Sequence, residues 1–214
     1  MVSLYVFDFH GTLAKGNECA VVESTNLSLE EHGRKERLTL EDTYRWQGKP
    51  WADYFIGLCP GVSEKEIASM VSCAKRLGYK IFPKHTSPME HVVEVLQKIK
   101  RRGDISIVIS NTTPDALDKY LQHIGIINLV NDRIGITNEV EKTGRLDVAK
   151  DKGRKLAEYI KDKNFDGVTV IGDTEDDVRA GKMVNATTFY FNQDGKKFDL
   201  ADYSISDLRK VLEV

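Results

Sequence analysis

Cysteine is nearly absent from this chain of 214 residues, which carries only Cys19, Cys59 and Cys73. The number is odd and no pair stands at Cys-x-x-Cys spacing, so neither a disulfide framework nor a zinc site is expected. All three are expected to pack as small apolar side chains in a reducing, cytoplasmic setting. An excess of charge is missing as well: Lys+Arg 31 against Asp+Glu 33 leaves a net charge of -2. That balance excludes the basic footprint of a nucleic-acid binder and the polybasic segment of a membrane-surface protein. No apolar run approaches the ~18 residues of a membrane span. The first apolar residues have no charged leader-like flank and run straight into Asp8. Internal repeats, low-complexity stretches and a glycine-rich dinucleotide loop are also lacking. What remains is a globular mixture, 41% hydrophobic and 30% charged. It is long enough for one large domain or one domain with an insert, and it favours a small-molecule partner.

Two textures alternate along the chain. Apolar, β-rich runs at Leu4–Phe7, Ile105–Ile109, Val168–Ile171 and Thr188–Phe191 show little alternation and read as strands buried on both faces of a parallel sheet. Helical patterns lie between the later runs. Pro88–Lys100 carries Met89, Val92, Val93, Leu96 and Ile99 on one face, with Ser87-Pro88-Met89-Glu90 as a capping box. Thr113-Pro114 opens a helix bearing Leu117, Tyr120, Leu121 and Ile124 that stops at Gly125, and a third helix runs from about Lys152 to Lys161. The repetition predicts an α/β core with a doubly wound, Rossmann-like parallel sheet. The stretch between Leu13 and Ser87 is different. It offers no convincing strand, shows helix-start signals at Ser28-Leu29-Glu30-Glu31 and Ser63-Glu64-Lys65-Glu66, and has helical candidates near 17–32, 39–57 and 63–78. A segment of that size is too long for a loop in a compact domain. It reads as an inserted all-helical domain, 15–86, in a core of 1–14 and 87–214, with hinges near Ala14–Gly16 and Phe82–Ser87.

Ligands of such sheets bind beyond the carboxyl ends of the strands. The first strand ends in Asp8, the second in Ser110-Asn111, and a later one in Gly172-Asp173-Thr174-Glu175-Asp176-Asp177. A polar residue after a strand is commonly just a cap or turn former. The set carries more weight, because it brings carboxylates and a hydroxyl to one rim from distant parts of the chain. These residues make the chain resemble the haloacid dehalogenase superfamily. The family's first motif, a hydrophobic strand followed by Asp-x-Asp-x-Thr, stands here as Asp8-Phe9-His10-Gly11-Thr12. Its strand ending in Ser or Thr is matched by Ile107-Val108-Ile109-Ser110-Asn111, and its Gly-Asp with a further acid by Gly172-Asp173 and Asp177. A lysine ahead of the last motif is matched by Lys152, with Lys142, Lys150 and Lys155 as rivals.

The resemblance implies a magnesium-dependent phosphatase acting on a small phosphorylated metabolite. Asp8 would be the nucleophile that forms an aspartyl-phosphate, splitting hydrolysis into two easier steps. Asp8, the backbone carbonyl of His10 and Asp173 would hold Mg2+, with Asp177 ligating directly or ordering a bound water. Lys152 would neutralise the crowded carboxylates and the phosphoryl oxygens, which Ser110 and Asn111 would also bind. For Glu175 and Asp176 the plain reading is acids in a first helical turn.

Position 10 departs from the pattern, because the family's second Asp is His10 here. That Asp serves phosphatases as general acid and base. An imidazole with an ordinary pKa of ≈ 6.5 is suited to the same work near neutrality. His10 is therefore read as a working acid/base, as a weakened one leaving slow turnover, or as the sign of another reaction. Dehalogenases of the superfamily also lack the second Asp but need no magnesium, and retention of Asp173 and Asp177 argues against them. A non-catalytic phosphate-binding or regulatory protein is expected to lose Asp8 or the acid pair. The insert resembles the family's helical cap, with Arg45, Trp46, Lys49 and Trp51 as candidates to face substrate or simply to pack and be solvated. His32, His85, His91 and His123 lack ligand spacing. Neither substrate identity nor oligomeric state is legible.

Overall fold

A computed structural model describes residues 2–46, 48–136 and 147–213. The chain divides into two compact units, residues 1–15 with 88–214 and residues 16–87.

The larger unit is an α/β layer structure around a six-stranded sheet. Its strands are β1 (Leu4–Phe7), β4 (Ile105–Ser110), β5 (Asp132–Gly135), β6 (Val168–Gly172), β7 (Thr187–Phe191) and β8 (Tyr203–Ile205). Between β1 and β4 lie the two-residue strands β2 (Ala14–Lys15) and β3 (Ser87–Pro88), where the chain leaves and re-enters this unit. The sheet order is β5-β4-β1-β6-β7-β8 and every pairing is parallel. The chain winds outward from β1 through β4 to β5, then returns to β6 on the other side of β1. The order therefore reverses at β1, where the ends of adjacent strands leave a crevice.

Central strands are mostly apolar because both faces are covered: β1 is buried at all four positions, and Ile107, Val108 and Ile171 are fully buried. Leu4, Val6, Ile107, Ile109 and Val170 form one packed face, against which Leu156 and the partly buried Tyr159 and Ile160 of α7 (Val148–Ile160) pack. Helix α5 (Val92–Arg102) buries Val92, Val95, Leu96 and Ile99, and its C-terminal turn carries Lys100, Arg101 and Arg102 where the helix dipole favours cations. Helix α6 (Pro114–His123) has its proline at the first turn, and α8 (Glu175–Lys182) follows β6 directly.

The smaller unit is helical: α1 (Asn17–Glu31), α2 (Leu40–Arg45), α3 (Trp51–Leu58) and α4 (Glu64–His85). Leu29, Phe55, Ile67, Met70, Val71 and Ala74 make its core. Ser28 Oγ donates to the Met70 carbonyl at 2.8 Å, and the Trp51 indole donates to Thr25 Oγ1 at 3.0 Å.

Several local expectations fail, each for a physical reason. The capping box at Ser87–Glu90 does not form. Ser87 precedes a proline, which disfavours helical backbone, and the Met89 N–H is spent on the Leu13 carbonyl. Helix α5 therefore starts at Val92 after His91 in a left-handed conformation (φ 63). Ser28–Glu31 is no helix start, since it lies inside α1 with Ser28 bonded to α4. The candidate near 39–57 is two helices, parted by Gly48 (φ 77) and Pro50, and α4 runs on to His85 with Pro83 in its last turn. Helix α7 begins at Val148, capped by the Asp147 side chain, rather than at Lys152. Cys59 and Cys73 are buried as expected, but Cys19 is exposed on α1. Among the described residues no helix is long and apolar enough to cross a membrane.

Candidate active site

The site forms where β1 and β6 end side by side. The Asp8 N–H donates to the Ile171 carbonyl at 2.9 Å, which carries the parallel pairing one residue past β1 and fixes Asp8 at the rim. The chain then turns sharply: Leu13 and Ala14 N–H both donate to the Phe9 carbonyl, and Gly11 N–H donates to the Ala14 carbonyl. Gly11 adopts φ 80, and a Cβ there would lie 2.1 Å from Asp173 Oδ2. Glycine is thus required twice over, by backbone conformation and by the approach of a carboxylate. Buried Thr12, one residue on, points its hydroxyl at Asp173 Oδ1 at 3.4 Å.

Asp173 and Asp177 come from the β6–α8 junction. Thr174 caps α8, and Asp177 completes a capping box by accepting the Thr174 N–H and hydroxyl on Oδ2. Its other oxygen faces the site. Gly172 carries no side chain because a Cβ would fall 2.2 Å from that of Asp177. One oxygen from each of Asp8, Asp173 and Asp177 lies within 4.8 Å of the others.

Lys152 reaches the same point from the first turns of α7. Its Nζ lies 2.5 Å from Asp8 Oδ1 and 2.6 Å from Asp177 Oδ1, and the side chain is only 7% exposed. Of its rivals, Lys150 is on the surface, Lys155 pairs with Glu158, and Lys142 lies outside the described residues. Burial works against the Lys152 ammonium, yet the charges of Asp177 and Asp8 outweigh it and raise its pKa. Asp8 moves the other way from an ordinary paired carboxylate. Burial lifts its pKa from 3.8 to about 6; Lys152 opposes the rise, and repulsion from Asp177 adds to it.

Ser110 ends β4 fully buried, and its Oγ accepts the Thr112 N–H at 3.2 Å and donates to Thr112 Oγ1 at 3.1 Å. Asn111 Oδ1 is buried and has no hydrogen-bond partner among the described residues. His10 lies across from this loop, its Nε2 2.8 Å from Thr112 Oγ1 and its ring edge-on to Phe9 at 4.9 Å. Glu175 is a surface residue paired with Arg179 along α8. In the smaller unit Trp46 stands edge-on to Tyr54 and Trp51 to Phe82, so both indoles pack against aromatic neighbours. His32 bonds the Ser28 carbonyl and Ser69, and His85 bonds Glu23.

Sequence reasoning singled out neither Thr112 nor Gly11. A hydroxyl two residues past Ser110 is the only sign of the first, and it is a weak one, since Ser and Thr are common in turns. The second is signalled by glycine following a strand end.

The donor set suits a small hard cation. Three carboxylates offer oxygen ligands within 4.8 Å of one another, against one lysine. The fold is of the α/β class, a parallel sheet with an acid just past the carboxyl end of each of two neighbouring strands, β1 and β6. The sequence profile of haloacid dehalogenase-like hydrolases matches residues 5–191, and the chain belongs to that family. Solved structures share the fold at low identity. A predicted phosphatase from Clostridium acetobutylicum superposes with TM-score 0.80 at 17% identity, covering 100% of both chains. A haloacid dehalogenase-like hydrolase from Bacteroides fragilis gives 0.79 at 19%, covering 99% of this chain and 100% of its own. An archaeal beta-phosphoglucomutase from Pyrococcus gives 0.66 at 16%, covering 99% and 98%. No curated protein matches the chain.

Proposed function

We propose that this hydrolase is a magnesium-dependent phosphatase that cleaves a small phosphomonoester through an aspartyl-phosphate on Asp8. One observation carries the reading: the Asp8 carboxylate, at the end of the central strand, is clamped by the Lys152 ammonium beside two further acids.

Asp8 attacks phosphorus while the ester oxygen departs, so one P–O bond forms as another breaks. His10 gives a proton to the departing oxygen, then takes one from the water that attacks the phosphorus of the aspartyl-phosphate, releasing phosphate and restoring Asp8. Lys152 keeps the acids from repelling the incoming phosphoryl group, and Ser110 with Asn111 binds its oxygens. Asp8, Asp173 and the His10 carbonyl would hold the metal. Asp177 belongs to the same set, but its oxygens are already engaged by Lys152 and Thr174, a commitment that favours contact through an ordered water. When bound, Mg2+ supplies the positive charge that lets a carboxylate approach a phosphate dianion. The helical unit 16–87 is assigned substrate selection.

The test is turnover of a phosphometabolite panel with and without Mg2+, beside halide release from a 2-haloacid. Magnesium-dependent phosphate release that vanishes in Asp8→Asn is expected. Metal-independent halide release would instead assign dehalogenation. A second readout needs no substrate: Mg2+ at a hundred times its Kd should stabilise the fold by about 2.7 kcal/mol.

A further inference from the structure

We infer that Thr112 is a positioning residue that holds His10 in one orientation and one tautomer, and ties it to the hydroxyl of Ser110. The inference rests on the phosphatase reading above only for its kinetic consequence.

The geometry is a short chain of hydroxyls. Ser110 is fully buried, so its hydrogen needs an acceptor. Thr112 Oγ1, at 3.1 Å, is that acceptor, and the Thr112 N–H occupies a lone pair of Ser110 in return. A hydroxyl has one hydrogen to give. Thr112 keeps its own hydrogen to give, and His10 Nε2, 2.8 Å away, is placed to accept it. The imidazole nitrogen that accepts it carries no hydrogen, so the ring's hydrogen stands on Nδ1.

The loop that carries Thr112 is itself fixed. The Ile136 N–H donates to the Ser110 carbonyl at 2.8 Å. Gly135, at the end of β5, lies so close that a Cβ would meet the Thr112 carbonyl oxygen at 2.6 Å and the Pro114 nitrogen at 2.5 Å. Thr112 is thus seated against backbone that leaves no room for a side chain. On the other side Phe9 and Tyr120 flank the ring edge-on, at 4.9 and 6.3 Å. The imidazole is held between two aromatic rings and one hydroxyl.

The consequence is a link between phosphate binding and the acid/base group. When the hydrogen of Ser110 turns to a phosphoryl oxygen, Thr112 Oγ1 loses a donor, and the hydrogen bond it shares with His10 changes in strength with it.

The experiment combines a spectrum with kinetics. Two-bond 1H–15N spectra of histidine-labelled protein, recorded well above the ordinary imidazole pKa of ≈ 6.5, should show His10 with hydrogen on Nδ1 and Nε2 as a hydrogen-bonded acceptor. Thr112→Val should abolish that signature and Thr112→Ser restore it. In turnover, Thr112→Val should lower kcat for alkyl phosphates roughly 10-fold with KM nearly unchanged, and Thr112→Ser should recover most of it. A His10 spectrum indifferent to the valine, hydrogen on Nε2 in the unsubstituted protein, or equal losses in both variants would overturn the inference. An unsubstituted protein with no phosphatase turnover sinks the functional reading instead, and the spectrum still decides the role of Thr112.

Discussion

Asp8 is a carboxylate in the wrong place for stability. Desolvation lifts its pKa from 3.8 to about 6, so its ionisation costs more in the folded chain than in the unfolded one. The sign follows directly. Below pH 3.8 the penalty is absent, it grows as pH rises, and it is complete above about 6. Asp8→Asn removes it while leaving Lys152 paired with Asp177. The metal-free variant should therefore melt above the metal-free parent at neutral pH, and the gap should close as the pH falls towards 4; a lower melting point would mean that burial of this acid is not the source of strain. Lys152 is the converse case. Replacing it with alanine leaves Asp8 and Asp177 facing each other in a buried site, at a cost of roughly 3–5 kcal/mol at neutral pH. Chemical denaturation should show that deficit shrinking in acid, where the carboxylates take up protons. For His10, alanine should slow turnover most for alkyl phosphates, whose leaving groups need a proton, and least for aryl phosphates. Equal slowing of both would remove the general-acid assignment.

Elements place these residues, and the sequence revealed some elements better than others. Strands β1, β4, β6 and β7 are legible because strands buried on both faces are mostly apolar or β-branched rather than alternating. Strand β5, Asp132-Arg133-Ile134-Gly135, and strand β8, Tyr203-Ser204-Ile205, lie at the sheet edges and are largely exposed, so they carry no apolar run to read. Asp8, Ser110 and Asp173 could be named as rim residues because each ends or directly follows a strand. The Lys152 contacts could not be derived that way, since they depend on α7 packing beside α8, with Gly153 against Met183. Turn chemistry decides the remaining detail. Gly11→Ala would force a Cβ onto Asp173 at positive φ and should weaken Mg2+ binding at least tenfold in a metal titration, the protein still folding. Undiminished affinity would show that the turn does not shape the metal site. In the helical unit, Ser24 on α1 is fully buried with an Oγ that has no partner among the described residues. Ser24→Ala should add about 1 kcal/mol to unfolding stability, since it removes an unsatisfied group and favours helix.

At the scale of the whole molecule, a family fold carries a histidine, His10, at the rim where the resemblance implies an aspartate. The match over residues 5–191 and the parallel sheet fix the class, while His10 sets the particular problem for this chain. The division of labour proposed here puts chemistry in the α/β unit and selection in the helical one. The measurement that tests its central claim most directly is acid-quench trapping with a 32P-labelled phosphomonoester that the enzyme turns over, followed by peptide mapping. The result expected is an acid-stable, base-labile label on the peptide that holds Asp8, formed with Mg2+ and absent in Asp8→Asn. Label on another residue, or rapid turnover with none trapped on Asp8, would contradict it.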